Sequence, residues 1–285
     1  TYLACKLNKK PFFHLGHQAS FYSSNTPRPI KKSFLANWIL KNYCRSTWNI
    51  GFHFNSYEPW ILPPIIKKNL WSSVSINPPS SVEQTADSSS IEFKPNHDFS
   101  YEIFNPIPLE KNESHKTQTR RITVYLPQYS TVEIRRFFYG IHNVQFHIFH
   151  SSVQQSFVEG DLSWLPINNE SFTQSMIASD GVICGAGFET PAEALFLEKE
   201  LLVIPITGQY EQYCNAESLK EMGVTVVDRL DLNFYDAFNR WIKSPRNKKL
   251  KPAFLPTNQI VDTVFNDFIL PRRSEEHTSE LQSQR

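Results

Sequence analysis

A short stretch of the chain places two glycines, a proline-started helix and a glutamine pair between buried apolar segments. In "GVICGAGFETPAEAL" an apolar strand runs into Gly185 and Gly187, and a helix is predicted to begin near Thr190. Glycines at the end of a parallel strand let a ligand approach the backbone closely. The N-terminus of the helix supplies free N–H groups and a partial positive charge. This combination suits a diphosphate, bound without any lysine or arginine.

The same residues also have a purely structural interpretation. Thr190 is a good N-cap, Pro191 suits the first helical position, and Glu193 completes a Thr-x-x-Glu capping box. In this interpretation the segment is a tight strand–helix turn and Glu193 turns back to the Thr190 N–H. The spacing of the glycines differs from G-x-G-x-x-G, which disfavours a Rossmann NAD site.

A second set of polar residues follows the next apolar strand. After "LLVIPI" come Gln209, Gln212 and Asn215. Because ligands of open α/β sheets bind beyond the carboxyl ends of the strands, we expect these amides at the same sheet edge as the glycine turn. Neutral amides both donate and accept hydrogen bonds, which suits a polyhydroxyl group beside a phosphate. The alternative is that they are solvated residues at the start of a helix.

The elements that carry these residues predict an α/β fold. Strand and helix patterns alternate over residues 120–250, and the strands are apolar throughout, as in a parallel sheet covered on both faces. Residues 1–70 show a strand–helix–strand order. The Ser- and Pro-rich start of residues 71–119 indicates a linker or insertion, and residues 251–272 add a C-terminal helix. Residues 273–285 resemble a translated sequencing adapter and are excluded.

Composition restricts the class of protein. The chain has 285 residues, of which 40% are hydrophobic and 20% charged, with a net charge of +1. These values are typical of a folded protein, and the near-neutral charge does not favour nucleic acid as a partner. No apolar run reaches the roughly 18 residues of a membrane span, but a peripheral membrane contact needs only a surface patch and stays open. The four unpaired cysteines indicate a reducing compartment, which we expect to be the cytoplasm.

The segment "GAGFETPAEALFLEKELLVIPITGQYEQYCNA" resembles the donor-binding signature of GT-B glycosyltransferases. It is particularly similar to a bacterial group related to the N-acetylglucosaminyltransferase that forms lipid II. The resemblance covers residues 120–250 well and extends more weakly into "KPFFHLGHQASF". It implies two Rossmann-like, doubly wound domains, with the N-terminal acceptor domain truncated in a fragment. The family's first strand and glycine-rich acceptor loop, the usual source of the catalytic base, would lie upstream of Thr1. The linker is longer than the family pattern.

The resemblance implies roles for the matched residues. The glycine turn and its helix would bind the nucleotide diphosphate, Glu193 would contact the ribose, and the amide-bearing loop would contact the donor sugar. "WLPINN" resembles the segment whose backbone contacts the edge of the base. The donor-binding residues implied in this way are Ile167, Gly185, Ala186, Gly187, Phe188, Thr190, Glu193, Gln209, Gln212 and Asn215.

Histidines are the remaining candidates for chemistry. By the resemblance, His17 would face the interdomain cleft, where it could position the acceptor or take a proton from its hydroxyl as a catalytic residue. The alternative is a strand-end histidine satisfied by the backbone. His147 and His150 lie on one predicted strand with odd spacing and point to opposite faces, and His142 precedes that strand. We therefore expect no metal site.

The predicted function is transfer of a sugar from a nucleotide donor, expected to be a UDP-sugar, to a glycan, lipid or small-molecule acceptor by inverting displacement. No cofactor or metal is expected. The fragment alone should bind UDP weakly and turn over poorly or not at all. Two alternatives remain open: a nucleotide-sugar epimerase of the same fold, which needs carboxylates or histidines from both domains, and a non-catalytic nucleotide-sugar binding module.

Overall fold

The computed structural model describes residues 2–8, 10, 12–30, 33–43, 46–74, 119–244 and 252–272. Within these residues the chain forms a parallel sheet and a mainly parallel sheet, one on each side of the predicted linker. Most of that linker and the whole adapter-like tail lie outside the described residues.

The first unit is a three-stranded parallel sheet in the order β1–β2–β3. Its strands are β1 (Phe13–Gly16), β2 (Trp48–Phe52) and β3 (Ile61–Leu62). Its helices are α1 (Tyr2–Leu7), α2 (Phe34–Tyr43) and α3 (Lys68–Trp71), and a 3₁₀ turn (His17–Tyr22) follows β1 directly. The strand–helix–strand order predicted for this part of the chain is confirmed.

Gly51 lets the 3₁₀ turn pack directly on β2. A Cβ atom at Gly51 would lie 2.7 Å from the backbone nitrogen of Ser20 and 2.8 Å from its Cα. No side chain fits at that distance, so the close approach of two backbone segments requires glycine here. The turn positioned in this way begins with His17.

The second unit is a seven-stranded sheet in the order β10–β9–β8–β4–β5–β7–β6. Its strands are β4 (Arg120–Tyr125), β5 (Val144–Phe149), β6 (Phe157–Glu159), β7 (Leu162–Leu165), β8 (Gly181–Cys184), β9 (Glu200–Val203) and β10 (Thr225–Val226). All neighbours are parallel except the antiparallel pair β6 and β7. The sequence did not predict β6, because this short edge strand leaves Phe157 and Val158 exposed and shows no burial pattern.

Helices cover both faces of the second sheet. They are α4 (Thr131–Phe138), α5 (Asn169–Ala178), α6 (Glu189–Phe196), α7 (Tyr210–Glu221) and α8 (Leu232–Lys243). The apolar cluster that includes α4 and α8 contains Ile122, Val124, Ile134, Phe138, Phe146, Phe234 and Phe238. The cluster that includes α5, α6 and α7 contains Met176, Val182, Ala192, Val203 and Leu219. The predicted α/β fold with Rossmann-like parallel sheets is therefore confirmed, and the second unit is doubly wound.

The strand order places a topological switch point between β4 and β8. From β4 the chain moves outward through β5 and β7, then returns to the other side of β4 at β8 and continues through β9 to β10. In open α/β sheets, ligands bind outside the carboxyl ends of the strands at such a point. The glycine turn follows β8 immediately.

Two segments of the chain cross between the units. The segment after β2 contributes Phe54, Ile66 and Leu70 to an apolar cluster of the second unit. A C-terminal helix, α9 (Thr257–Thr263), continues into a π-helical segment (Val264–Ile269). Its residues Ile260 and Val264 pack with the first sheet, against Ile50, Phe52 and Leu62. In the described part of the chain, no helix is long and apolar enough to cross a membrane.

Candidate functional site

Helix α6 begins at Glu189, two residues earlier than the predicted start at Pro191. Its N-cap is Phe188, with φ −93° and ψ −48°, and no side chain caps the helix. Thr190 is therefore the second helical residue, so the predicted Thr190 cap and its capping box with Glu193 are wrong. Pro191 is tolerated at the third position because N–H groups in the first turn have no intrahelical acceptor.

The glycine turn contains backbone donors without acceptors in the described residues, and it borders open space at Gly187. None of the N–H groups from Gly185 to Thr190 donates a hydrogen bond to an acceptor within the described residues. A Cβ atom at Gly187 would meet no atom within 4 Å among them. Backbone N–H groups need a partner, which is water or a ligand when the protein supplies none. The predicted diphosphate residues Gly185, Ala186, Gly187 and Thr190 are therefore placed together with suitable donors.

Glu193 contacts the first unit instead of capping its helix. Its carboxylate is buried, only 4% exposed, and lies 3.0 Å from the ammonium group of Lys67, between β3 and α3. Burial raises the pKa of Glu193, and the hydrogen bond and charge of Lys67 act against that rise. The capping interpretation is excluded by this geometry, and the ribose contact stays a prediction.

The two glutamines have different roles in the loop before α7. The Gln212 Oε1 accepts from the Ile206 N–H at 2.9 Å, and its Nε2 donates to Gln209 Oε1 at 2.9 Å. Gly208, with φ +84°, allows the tight turn in which the Gln209 N–H donates to the Ile206 carbonyl. Gln212 thus stabilises the loop beside Gly185, where an added Cβ atom would lie 3.4 Å from Gln212 Oε1. Gln209 is exposed and can meet a ligand.

Asn215 links the glycine turn to the first unit. It is fully buried, its Nδ2 donates to the Ala186 carbonyl at 3.1 Å, and its Oδ1 lies 3.0 Å from His17 Nε2. Both ends of the amide are therefore occupied by protein atoms. The predicted contact of Asn215 with the donor sugar stays a prediction.

His17 lies against the start of α6, at the contact between the two units. Its ring stacks on Phe188, with centroids 3.9 Å apart and planes 7° apart, and its Nδ1 lies 2.8 Å from the Phe52 carbonyl. Burial lowers the pKa of His17 to about 4, and the hydrogen bonds to Phe52 and Asn215 act against that decrease. Both ring nitrogens face oxygen acceptors, and a neutral imidazole can donate to only one of them. A catalytic role for His17 would require the contact between its Nε2 and Asn215 to open.

The buried histidines predict a loss of stability in acid. Burial lowers the pKa of His17 and of His147 to about 4, from 6.5. Between these pH values the unfolded chain binds more protons than the folded one. The contribution of these histidines to the free energy of unfolding is therefore fully present above pH 6.5 and falls as the pH decreases towards 4. For His17 the expected loss is about 3 kcal/mol. The measurement is the Tm of wild type across this range.

His17→Gln should reduce the pH dependence of the Tm, because glutamine can hydrogen-bond but does not titrate. The matched control is the same substitution at the exposed His142. Equal pH dependence in both variants would show that the His17 proton does not contribute to acid unfolding.

The structure adds Lys67, Glu211 and Gln128 to the site. Glu211 Oε1 lies 3.6 Å from His17 Nε2. Gln128 follows β4 at the switch point, and its Nε2 donates to the Ile204 carbonyl at 3.2 Å. The Gln128 Oε1 is buried and has no partner within the described residues. The rule that selected Gln209, a polar residue at a strand outlet, would also have found Gln128.

Ile167, the predicted base contact, leaves the sheet at the same edge as the glycine turn. It follows β7, which is separated from β8 by β5 and β4. Three strand spacings place it about 14 Å from the turn. Ile167 is 47% exposed, so an extended ligand along this edge could contact both Ile167 and the glycine turn.

The histidines of β5 and its outlet have separate partners. His147 Nδ1 lies 3.1 Å from Ser175 Oγ, while His150 contacts Ser152 Oγ at 2.7 Å and the Tyr129 carbonyl at 3.0 Å. Among the residues that the structure describes, no three His, Cys, Asp or Glu side chains are grouped to hold a metal ion.

A Rossmann-type sheet with free helix-start donors at its switch point is an arrangement that can accept a phosphate or a nucleotide. Residues 102–242, just under half of the chain, match the family model described as glycosyl transferase family 1. This part of the chain is similar to the members of that glycosyltransferase family. No curated protein sequence matches the chain.

Solved structures with similar folds include three glycosyltransferases at low sequence identity. The glycotransferase of kitacinnamycin is 14% identical over 47% of this chain and 37% of its own, with a TM-score of 0.38. MurG from Acinetobacter baumannii is 18% identical over 53% and 50%, with a TM-score of 0.37. The spinosyn forosaminyltransferase SpnP is 11% identical over 86% and 65%, with a TM-score of 0.41. The chain thus spans between 37% and 65% of the length of these structures.

Proposed function

We propose that the protein that contains this chain transfers a sugar from a nucleotide donor, with UDP as the nucleotide, by inverting displacement, and that this chain alone binds UDP weakly and turns over poorly or not at all. The observation that carries this proposal is the row of N–H groups from Gly185 to Thr190 that have no acceptor within the described residues, beside the open space next to Gly187. Phosphate oxygens would accept from these groups, and the N-terminus of α6 would stabilise the negative charge that develops on the leaving diphosphate.

The donor would lie along the carboxyl edge of the second sheet. We assign Glu193 to the ribose hydroxyls, Gln209 to the donor sugar and the Ile167 backbone to the base. An acceptor hydroxyl oxygen would form a bond to the anomeric carbon as the bond from that carbon to the diphosphate breaks. The hydroxyl proton would pass to a base, and UDP would leave. No metal or cofactor is required, because backbone donors offset the charge of the diphosphate.

The base would be His17 once its contact with Asn215 has opened, or a group supplied by residues other than those described. His17 already lies beside Phe188 at the end of the glycine turn. A neutral imidazole, which burial favours, is the form that can accept a proton. The acceptor is proposed to be a glycan, a lipid or a small molecule.

Thermal stabilisation by UDP and by ADP tests the nucleotide assignment. We expect UDP to bind more tightly than ADP and therefore to raise the Tm more at the same concentration. A ligand at 100 times its Kd stabilises the folded state by about 2.7 kcal/mol. Glu193→Ala should weaken UDP binding by about 10- to 100-fold, because two hydrogen bonds from ribose hydroxyls to a carboxylate are lost.

The matched control for this substitution is Glu189→Ala, which removes an exposed carboxylate from the first turn of the same helix. It should leave the UDP response close to that of wild type. If Glu193→Ala responds to UDP as strongly as wild type does, the ribose assignment is wrong. Equal responses of wild type to UDP and ADP would contradict the choice of nucleotide.

One observation favours a nucleotide-sugar epimerase as a second candidate. Such an enzyme needs carboxylates or histidines from both units near the sugar, and His17 of the first unit lies 3.6 Å from Glu211 of the second. Incubation with a UDP-sugar and no acceptor separates the two functions. An epimerised donor would support the epimerase, and an unchanged donor with transfer after acceptor is added would support the transferase.

We also propose a reducing, cytoplasmic location. Cys5, Cys184 and Cys214, the cysteines that the structure describes, are all free thiols. Two of them, Cys184 and Cys214, are buried, where burial raises the pKa of the thiol and keeps it unreactive.

A further inference from the structure

Glu193 is a buried carboxylate with a lysine beside it. Its side chain is only 5% exposed and lies on α6, the helix that follows the glycine turn. The Glu193 Oε1 lies 3.0 Å from the Lys67 Nζ, and the Lys67 side chain is 47% exposed. An ionised carboxylate is costly to bury unless it is paired. Within the described part of the chain, Lys67 is the cation that allows Glu193 to stay ionised in this position.

The backbone around Lys67 is held against α6 by apolar contacts. Ile66 and Leu70 are 1% and 0% exposed and lie in an apolar cluster of the second unit. The ring of Trp71 packs edge-on against Phe196 at the end of α6, with centroids 4.7 Å apart. A lysine side chain is flexible, but its reach is set by its backbone. Because that backbone is fixed, the ammonium group of Lys67 stays within reach of Glu193.

The ion pair leaves part of the carboxylate for a ligand. Lys67 contacts Oε1, while Oε2 of Glu193 has no donor within the described residues. A carboxylate has about four acceptor positions, so one ion pair does not occupy it. Ribose hydroxyls are donors that such a group can accept from. The protein thus fixes one oxygen of Glu193 and leaves acceptor capacity on the other.

Two charged side chains act on Glu193 in opposite directions. Lys67 lowers its pKa, whereas burial raises it and the charge of Glu189, one turn earlier on α6, adds to the rise. Removal of Lys67 would leave burial and Glu189 unopposed. The pKa of Glu193 would then rise further, and more of it would carry a proton near neutral pH. A protonated carboxyl group is a poorer acceptor for two ribose hydroxyls than a carboxylate.

We propose that Lys67 is a positioning residue of the donor site, which keeps the Glu193 carboxylate ionised and oriented towards the ribose hydroxyls. The site is thereby made selective for ribonucleotides over deoxyribonucleotides. This inference rests on the proposed function, because it takes the ribose contact of Glu193 from there. Lys67 acts through Glu193 and does not itself contact the nucleotide.

A measurement without ligand tests the effect on the carboxylate. Glutamate is labelled with carbon-13 at its side-chain carboxyl group, and the NMR signal of Glu193 is followed against pH. Lys67→Met should raise the pKa of Glu193, and Lys68→Met, which replaces the exposed neighbouring lysine, should not. The signal is assigned by its absence from Glu193→Gln. An unchanged pKa in Lys67→Met would overturn the proposal, whether or not a nucleotide binds.

Nucleotide binding tests the selectivity. Calorimetric titration of the full chain compares UDP with 2′-deoxy-UDP, which lacks one of the two ribose hydroxyls. Wild type should bind UDP about tenfold more tightly, because a hydrogen bond to a carboxylate distinguishes the two ligands. In Lys67→Met this preference should fall to about twofold. Lys67→Arg, which keeps the charge, and Lys68→Met should both retain it. An unchanged preference in Lys67→Met would contradict the positioning role.

The pH dependence of binding separates this role from a merely structural one. Between about pH 5.5 and pH 8, the UDP affinity of Lys67→Met should rise more steeply than that of wild type, because deprotonation of Glu193 restores the acceptor. Parallel profiles for the two proteins would count against the proposal. Thermal unfolding verifies that each variant is folded, and Lys67→Gln replaces Lys67→Met if the latter is unstable.

A double-mutant cycle distinguishes the possible failures. Lys67→Met added to Glu193→Gln should weaken UDP binding by less than about twofold further, because the two residues act together. A further loss as large as that in wild type would show that Lys67 contacts the nucleotide directly, which overturns the proposal. If Glu193→Gln binds UDP like wild type, the ribose assignment of the proposed function is wrong. If Glu193→Gln binds weakly and Lys67→Met binds normally, only the role of Lys67 is wrong.

Discussion

Replacement of Gly187 by valine is expected to abolish UDP binding while the fold stays intact. The space that a Cβ atom at Gly187 would enter holds no atom within 4 Å among the described residues, and Gly187 does not have a positive φ. The substitution should therefore cost little stability. The branched side chain would fill the space assigned to the diphosphate and separate it from the N–H groups of the turn, so we expect a loss of at least about 100-fold in UDP affinity.

Calorimetric titration with UDP measures this effect, and thermal unfolding without ligand reports the fold. Gly187→Ala should give an intermediate affinity, because its single methyl group fills less of the space. Thr207→Val serves as control, since Thr207 is exposed on the neighbouring loop. If the valine variant is folded and binds UDP normally, the diphosphate does not bind at the glycine turn.

Gly51→Ala is expected to cause a large loss of stability. The added methyl group would lie 2.7 Å from the backbone nitrogen of Ser20 and 2.8 Å from its Cα, and backbone atoms cannot move aside as a flexible side chain can. Overpacking of this kind costs about 3 kcal/mol. The 3₁₀ turn would have to shift, which would also displace His17 from Asn215. Urea unfolding measures the loss.

Gly16→Ala provides the matched control at the end of β1. Its added methyl group would meet His14 Nε2 at 3.3 Å and Gln18 Oε1 at 3.7 Å, both at the ends of side chains that can move. We expect Gly16→Ala to cost less than about 1 kcal/mol. If the two variants unfold at the same urea concentration, the close approach of the 3₁₀ turn to β2 does not determine stability.

Local sequence patterns predicted the fold well because the second sheet is built from apolar strands and regularly spaced helices. They failed where a tertiary contact decided the local structure. The Thr-x-x-Glu pattern predicted that α6 is capped at Thr190, but Phe188, whose ring stacks on His17, is the N-cap. Likewise, apolar residues at helical spacing are typical of a buried face, but Phe34, Leu35 and Trp38 of α2 are exposed.

The candidate site was predictable only in part for a similar reason. Strand outlets located the glycine turn and the glutamines, since the carboxyl ends of parallel strands meet at one edge. The partners of these residues come from far along the chain: His17 and Asn215 are 198 residues apart. Such pairs depend on how the two units meet, which no local pattern records. Lys67, the partner of Glu193, was missed for this reason.

The two crossing segments restrict how the units can move relative to each other. Phe54, Ile66 and Leu70 are buried in the second unit, and Ile260 and Val264 are buried against the first sheet. Full separation of the units would expose both of these apolar contact regions to water, which is costly in free energy. A hinge rotation that keeps these apolar contacts and breaks only the polar contacts between the units has the lowest free-energy cost. Such a rotation would open the contact between His17 and Asn215.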